Sequence, residues 1–421
     1  MNPTPAHHEP SATPRVDGER LWRSLMDLAT IGATPKGGVC RLTLTDLDRQ
    51  ARDRVIGWLR EAGCKIEVDG VGNIFAIRPG RVRGSALVLT GSHVDTQPSG
   101  GKFDGNYGVL AGLELMRTLN DRSIVTDKPV GVAIWTNEEG SRFVPVMGGS
   151  GAFAGVFSTD EILEKRDIDG VTFADALDRI GYRGEAPVGG RALDAYFEAH
   201  IEQGPILERE DKTIGLVTGA LGLRWYDCTW LGQDAHAGPT PMEARHDALR
   251  GAARMVEAVN DLAVRFAPEG RGTVGFLQVK PNSRNVIPGL VSMSVDLRHP
   301  SDASLAAMDE QLRASARTIA NGLHLRLELE QVAQFPACRF DSGCVEQVRD
   351  AARMLGYAHR EIVSGAGHDA IYVARVAPTA MIFIPCKDGI SHNEIEDARP
   401  DHVEAGANVL LHAVLARAGA S

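Results

Sequence analysis

The chain has 421 residues and a formal net charge of −10, with 55 acidic against 45 basic side chains. This balance argues against a broad phosphate-binding surface, because nucleic-acid binding draws on concentrated lysine and arginine. No apolar run approaches the roughly 20 residues that span a bilayer, so we expect neither a nucleic-acid nor a membrane partner. The length predicts two domains, because one ordinary core does not grow to this size.

The N-terminal segment, residues 1–17, is rich in proline, alanine and histidine and has neither the basic start nor the apolar stretch of a secretory signal. We predict a disordered tail there, and we interpret His7 and His8 as part of it in preference to metal ligands. Six cysteines are scattered along the chain without a CxxC pair, which indicates reduced thiols and no disulfide framework. The cytoplasm is therefore the expected compartment.

The next part of the chain, residues 18–215, alternates between helical and strand patterns. Amphipathic periodicity predicts helices at 19–30, 44–62 and 109–119, with Thr45 as the N-cap of the second. Short apolar runs predict strands at 65–68, 73–77, 86–89 and 130–135. This alternation is typical of an α/β domain with a largely parallel or mixed sheet flanked by helices.

Residues 216–331 follow a different pattern. Strands are predicted at 218–230, 272–279, 290–297 and 324–331, and helices at 242–266 and 303–320. Two helices and about four strands in this order indicate a small sheet with helices on one face, an α+β insert. The first pattern resumes in residues 332–421, with elements at 345–355, 379–384 and 402–418. The predicted fold is thus a discontinuous α/β catalytic domain, 18–215 with 332–421, interrupted by the insert.

Two apolar runs of the first domain end in polar residues. The first is followed by His93 and Asp95, the second by Glu138 and Glu139. Ligand sites in open α/β sheets lie at the carboxyl ends of strands, and Asp95 is spaced to accept the second imidazole N–H of His93. Taken alone, a hydrogen-bonded structural pair explains His93 and Asp95 equally well, and a solvated turn is the usual place for two adjacent glutamates. Two neighbouring carboxylates at a strand end nevertheless favour a compensating cation.

Three more segments supply similar side chains. Asp104 follows two glycines and precedes a predicted helix, where capping is the alternative role. His200 and Gln203 lie in one polar segment, and His392 lies near the C-terminus. Histidine and carboxylate ligands together suit Zn²⁺, Mn²⁺ or Co²⁺ and do not resemble the all-oxygen sites of Mg²⁺ and Ca²⁺.

Other residues look suited to substrate binding. His236, Asn285 and Arg298 all fall in the insert, and an arginine at a strand end offers a bidentate fork to a carboxylate, although a surface ion pair is its commoner use. Gly367 and His368 belong to a glycine-lined turn before a helix, where main-chain N–H groups could hold an anion.

Together these segments resemble the M20 metallopeptidase-like superfamily, and within it the hydantoinase/carbamoylase family, over residues 20–418. The motifs that carry the resemblance are GSHVDT, GGKFDGNYG, TNEEGSRF, HIEQGP, DAHAGPTPM, NVIPG, SGAGHDA and SHNE. HIEQGP, which contains His200, is similar to the carbamoylase group and unlike the peptidases of the superfamily, which usually carry an acid there.

The resemblance implies a site with two divalent metal ions. His93 and His200 would hold one ion, Glu139 and His392 the other, with Asp104 as the bridge. Glu138 would be the general base, and Asp95 would support the His93 ring. Substrate contacts would come from Gln203, His236, Asn285, Arg298, Gly367 and His368. His236 and Asn285 would reach the partner's site in a homodimer formed through the insert, which would also act as a lid, and Arg298 would bind the substrate carboxylate.

The activity implied is hydrolysis of an N-carbamoyl amino acid to the amino acid, ammonia and carbon dioxide. The alternatives within the family are allantoate amidohydrolase and β-ureidopropionase. A dipeptidase or aminoacylase lies further away, as does a catalytically silent protein that only binds a small molecule. The sequence does not select among Zn²⁺, Mn²⁺ and Co²⁺.

Overall fold

The computed structural model describes residues 13–420, which divide into two compact units. One comprises the described part of Met1–Thr218 together with Phe340–Ser421, and the other comprises Gly219–Arg339. The predicted insert, 216–331, ends earlier than the second unit because its last strand continues to Phe335 beyond a register shift between Gln331 and Ala333.

The α-helices are α1 Gly18–Leu28, α2 Asp46–Glu61, α3 Asn106–Asp121, α4 Gly148–Phe153, α5 Thr159–Leu163, α6 Phe173–Ile180, α7 Ile206–Arg209, α8 Ala248–Arg265, α9 Asp302–Gly322, α10 Ser342–Met354, α11 Asp369–Val373 and α12 Pro400–Ala418. The strands are β1 Lys65–Val68, β2 Ile74–Arg78, β3 Leu87–His93, β4 Val130–Trp135, β5 Leu193–Ile201, β6 Ile214–Ala220, β7 Gly222–Leu231, β8 Ala235–His236, β9 Arg271–Thr273, β10 Leu277–Lys280, β11 Val286–Ile287, β12 Leu290–His299, β13 Arg326–Phe335, β14 Cys338–Arg339, β15 His359–Ser364 and β16 Thr379–Ile384. Short 3-10 turns lie at Met242–Ala244 and Lys387–Gly389.

The first unit is built on a mixed sheet with the order β1-β2-β4-β3-β5-β16-β6, and β15 also pairs with β6. The central strands β4, β3, β5 and β16 are parallel, while β1, β2 and β6 pair antiparallel to their neighbours. β3, β4 and β16 are buried along their whole length, as parallel strands are when helices cover the sheet. Helices α3, α10 and α12 pack against these strands. The predicted mixed sheet flanked by helices is confirmed.

The parallel strands bring their carboxyl ends to one edge of the sheet. β3 ends at His93, and β5 carries His200 next to its last residue. The segment that begins with Thr136 follows β4, and the segment that contains His392 follows β16. Polar segments far apart in the chain therefore converge at this edge.

Helix starts in the first unit are set by side-chain caps. The predicted cap, Thr45, accepts a hydrogen bond from the Asp48 main-chain nitrogen and is confirmed. Asp17 caps α1 in the same way, and Val16 is buried with its N–H donating to Asn408 Oδ1 at 3.0 Å. Val16 is therefore packed in the fold, although the predicted disordered tail extends to residue 17. His7 and His8 lie outside the described residues.

The second unit contains a five-stranded antiparallel sheet of order β10-β12-β7-β13, with β9 paired to β12. Burial alternates along β12, and its buried side chains join those of α8 and α9 in one apolar core around Trp230. This core explains the two helices and short strands that the sequence predicts. β8 and β11 form a separate two-stranded pair.

Several predicted boundaries in the insert were wrong. The single strand predicted at 218–230 is two strands separated by Leu221, and the strand predicted at 272–279 is divided into β9 and β10. The helix predicted from residue 242 begins at Ala248, because Asp247 accepts from the first main-chain N–H groups and caps it there. In the described part of the chain, we find no helix with the length and apolar content needed to cross a membrane.

Candidate functional site

His93 closes β3 with its imidazole held in one tautomer. Nδ1 lies 2.9 Å from the main-chain oxygen of Asp95, and since a carbonyl only accepts, Nδ1 carries the hydrogen. The lone pair of Nε2 is then free for a cation. The prediction that the Asp95 carboxylate fixes this ring was wrong in detail: that carboxylate lies 3.8 Å from Nδ1 and accepts instead from the main-chain nitrogens of Glu138 and Glu139, at 3.4 and 3.3 Å.

His200 is oriented in the same manner. Its Nδ1 lies 2.9 Å from the main-chain oxygen of Ile201. Nε2 therefore faces the edge of the sheet where the polar segments converge. Nε2 lies 3.1 Å from Asp104 Oδ1. Because both histidines sit at the ends of adjacent parallel strands, their Nε2 atoms point to the same carboxylate. His200 Nε2 also accepts from the Gly105 main-chain nitrogen at 3.2 Å.

Asp104 lies at the centre of two groups of potential ligands. Its Oδ1 is 3.6 Å from His93 Nε2 and 3.1 Å from His200 Nε2, while its Oδ2 is 3.3 Å from His392 Nε2. The capping alternative is excluded, since the N-cap of α3 is Gly105. Gly105 has a φ of +66°, and a Cβ there would lie 2.4 Å from the His93 ring, so this turn requires glycine.

Glu139 and His392 complete the second group. Glu139 Oε2 lies 3.4 Å from His392 Nε2, and the same carboxylate accepts from the Gln97 main-chain nitrogen at 3.0 Å and from Gln97 Nε2 at 2.6 Å. Donor atoms of His93, Asp104 and His200 lie within 4.8 Å of one another, as do those of Asp104, Glu139 and His392. These are the groups that the resemblance implies, and both fit a divalent cation.

Glu138 stands beside the first group. Its Oε2 lies 3.5 Å from His93 Nε2, and the side chain is buried. Burial, together with the nearby negative charges of Asp369, Glu139 and Asp104, raises the pKa of Glu138 well above its usual value despite the attraction of His93. A carboxylate with a raised pKa binds a proton more strongly, which suits a general base.

The remaining charges of the site also favour a cation. Burial and the charge of Asp104 raise the pKa of Glu139 to about 7. Burial opposes ionisation of Asp104 too, but the hydrogen bonds that His200, His392 and His93 donate when their imidazoles are protonated outweigh it and hold its pKa well below the usual value. Carboxylates packed this closely need compensating positive charge, which divalent cations supply in place of protons.

Two buried carboxylates were missed by the sequence reasoning. Glu198 accepts from the Ser92 hydroxyl at 2.7 Å and from the Ala370 main-chain nitrogen at 3.0 Å. Glu396 accepts from the main-chain nitrogen of Asp104 at 3.1 Å. The spacing of two between Glu198 and His200 on one strand could have identified the first, because such residues share a face. No comparable pattern marks Glu396.

The predicted substrate residues of the first unit lie close to these groups. Gln203 Nε2 donates to Asp104 Oδ2 at 2.9 Å, and Gln203 Oε1 is buried with no hydrogen-bond partner among the described residues. His368 is buried, its Nε2 lies 2.9 Å from Ser364 Oγ, and its ring centroid is 4.6 Å from that of His200. Burial and the charge of His200 hold the pKa of His368 well below its usual value. The turn that contains Gly367 directly precedes His368 in the sequence.

The other predicted substrate residues belong to the second unit. His236 lies on β8, where its strand partner is Val286, so the pairing of β8 with β11 brings it close to Asn285. Arg298 lies on β12 and forms an ion pair with Asp296, with Nη2 2.8 Å from Oδ2. Their contact with substrate stays a prediction.

Comparison with known proteins shows extended similarity. The model of Peptidase family M20/M25/M40 matches residues 89–416. The chain is 48% identical to an N-carbamoyl-L-amino-acid amidohydrolase of Rhizobium meliloti, over 96% of this chain and 98% of that protein, and 34% identical to an allantoate amidohydrolase of Bacillus subtilis, over 91% and 93%. The structure of a hydantoinase/carbamoylase family amidase from Burkholderia multivorans superimposes with a TM-score of 0.95 at 60% identity, covering 96% of this chain and 98% of that one.

These matches extend over nearly the whole chain and include all the segments that meet at the sheet edge. The chain belongs to peptidase family M20/M25/M40 and, within it, to the hydantoinase/carbamoylase family.

Proposed function

We propose that the protein hydrolyses N-carbamoyl-L-amino acids to the free amino acid, ammonia and carbon dioxide. The observation that carries this proposal is the position of Glu138, buried 3.5 Å from His93 Nε2 beside two ligand groups that share Asp104. The identity of 48% to an enzyme named for this reaction, against 34% to the allantoate amidohydrolase, favours this substrate class.

His93 and His200 would hold one divalent ion, Glu139 and His392 a second, and Asp104 would bridge the two. Mixed imidazole and carboxylate donors suit Zn²⁺, and also Mn²⁺ or Co²⁺. When bound, such ions would polarise the substrate carbonyl and lower the pKa of water toward about 7.

Glu138 would then move the proton. It takes a proton from the water that adds to the ureido carbonyl carbon, and it returns that proton to the leaving nitrogen as the carbon–nitrogen bond breaks. Its raised pKa, caused first by burial, strengthens it as the acceptor in the first step. Asp95 supports this role, because its carboxylate binds the Glu138 and Glu139 main-chain nitrogens.

Substrate contacts would come from both units. Gln203 presents a buried acceptor without a partner in the described residues, which suits a ureido N–H group. His368, whose ring centroid lies 4.6 Å from that of His200, and the adjacent main chain of Gly367 would also contact the substrate. In the insert, Arg298 would bind the substrate carboxylate with its planar fork.

We also propose that the insert acts as a lid and forms a homodimer in which His236 and Asn285 serve the second subunit. Support comes from exposed large apolar residues on this unit, including Phe276 at 52% and Trp225 at 43% exposure. The cytoplasm remains the proposed compartment, because all six cysteines are free thiols.

The test is a substrate panel on protein reconstituted separately with Zn²⁺, Mn²⁺ and Co²⁺. N-carbamoyl-L-amino acids should be turned over faster than allantoate, N-carbamoyl-β-alanine or dipeptides. Preference for either of the other ureido compounds would reassign the substrate within the family. Binding of these compounds by metal-loaded protein without hydrolysis of any would leave only a binding protein.

Glu138→Gln is the decisive variant. The amide cannot accept the proton, so we expect kcat to fall about 10²- to 10⁴-fold while both ions remain bound. Glu139→Gln is the matched control, because it alters the neighbouring carboxylate and should lower metal content directly. Full activity of Glu138→Gln would exclude the proposed base.

A further inference from the structure

His392 differs from the other four proposed ligands in its exposure. Its side chain is 51% exposed, whereas those of His93, Asp104, Glu139 and His200 are buried. Its φ is +52°, in a region that residues with side chains rarely adopt. Since core packing does not hold this imidazole, its position depends on hydrogen bonds made by its own loop.

One buried carboxylate, Glu396, accepts one of those hydrogen bonds. Its Oε2 accepts from the hydroxyl of Ser391, the residue before His392, at 2.8 Å. Its Oε1 accepts from the main-chain nitrogens of Phe103 and Asp104, at 2.9 and 3.1 Å. A single side chain therefore connects the turn that carries His392 with the turn that carries Asp104.

Two neighbouring features show how closely these turns are packed together. A Cβ on Gly101 would lie 2.1 Å from Glu396 Oε1, so the chain can approach the carboxylate only because residue 101 is glycine. The Ser391 oxygen that donates to Glu396 also lies 3.2 Å from Asp104 Oδ2. Asp104 is therefore contacted at its main-chain nitrogen by Glu396 and at its carboxylate by Ser391.

We propose that Glu396 is a positioning residue that aligns Asp104 with His392 and thereby completes the second ion position. This inference rests on the proposed metal-dependent function. Loss of the carboxylate frees the turn before His392 and leaves two main-chain N–H groups unpaired. The first ion position is affected less, because His93 and His200 are held on buried strands by their own main-chain contacts.

The experiment measures metal content and affinity directly, without relying on activity. Wild type, Glu396→Ala and Glu396→Gln are dialysed against graded free Zn²⁺, and bound metal per chain is measured. Asp401→Asn is the control, because Asp401 is an exposed carboxylate on the following helix, paired with Arg399. Thermal unfolding of each metal-free protein reports on folding.

We expect wild type and Asp401→Asn to bind two ions. Glu396→Ala should bind one ion normally and the other about 10- to 100-fold more weakly. Glu396→Gln should bind close to wild type, because its amide oxygen still accepts from both main-chain N–H groups and its NH₂ group can donate to Ser391 Oγ.

Two tight ions in Glu396→Ala, or equal weakening of both ions, would overturn the inference. Should Glu396→Ala fail to fold, Ser391→Ala decides the question. It leaves Glu396 bound to the main chain of the Asp104 turn but removes the hydroxyl that contacts both Glu396 and Asp104 Oδ2, so it must weaken one ion. Two wild-type affinities in this variant would overturn the inference as well. Wild-type protein that binds no ion would instead refute the proposed function, so the two failures are distinguishable.

Discussion

Gly105→Ala tests how closely the turn after Asp104 packs against His93. A Cβ at position 105 would lie 2.4 Å from Cε1 and Nε2 of His93, whereas ordinary contacts begin at 3.4 Å. The imidazole or the turn must therefore move by about 1 Å, and a misplacement of that size costs on the order of 10²-fold in rate. This corresponds to about 2.7 kcal/mol of lost transition-state stabilisation.

Gly181→Ala is the matched control for backbone strain. Gly181 also has a positive φ, +74°, but nothing lies within 4 Å of a Cβ built there. Gly181→Ala should lose about 1–2 kcal/mol of folding free energy, because alanine disfavours the left-handed region. Gly105→Ala should lose more, because its Cβ also meets the His93 ring. Urea unfolding, bound metal and kcat/KM on N-carbamoyl-L-amino acids are measured for both. We expect only Gly105→Ala to lose metal affinity and activity; equal losses in the two variants, or wild-type activity in Gly105→Ala, would refute this account.

Two further predictions concern stability. Burial raises the pKa of Asp69 from 3.8 to about 6, so its contribution to stability is present below pH 3.8 and is lost as the pH rises through about 6. The stability of wild type relative to Asp69→Asn should therefore fall by about 2.4 kcal/mol between pH 4 and pH 7, measured by urea unfolding, and parallel pH profiles would contradict it. The buried Arg41 guanidinium donates to the main-chain oxygens of Val94 and Ile31, at 2.7 and 2.8 Å. Arg41→Lys should cost about 2–4 kcal/mol of unfolding free energy because acceptors lose their donors, and a loss as small as that of the exposed Arg23→Lys would contradict this.

Local patterns in the sequence were enough to predict the strand ends that carry the site. His93, Glu138 and Glu139 follow apolar runs that are fully buried in the structure. A parallel strand that is buried on both faces has a nearly continuous apolar sequence, which makes it recognisable. The α+β character of the insert was equally predictable, because alternation on its strands and periodicity on its helices reflect one shared core.

Boundaries within the insert were not predictable from the same patterns. The strand that ends at Phe335 contains a register shift, and α8 starts at a cap that apolar periodicity does not reveal. Both features depend on hydrogen bonds to partners that periodicity ignores.

The sequence by itself determined which side chains are available for a metal site and that His93, Glu138 and Glu139 lie at or just after the ends of strands. Only the tertiary structure decided how each is held. The Asp95 carboxylate binds the Glu138–Glu139 main chain while its carbonyl orients His93, and Glu396 pairs with Asp104 across nearly 300 residues of sequence. Such contacts arise because buried donors and acceptors need hydrogen-bond partners, which the fold can supply from any part of the chain. Sequence spacing does not predict partners that are this far apart.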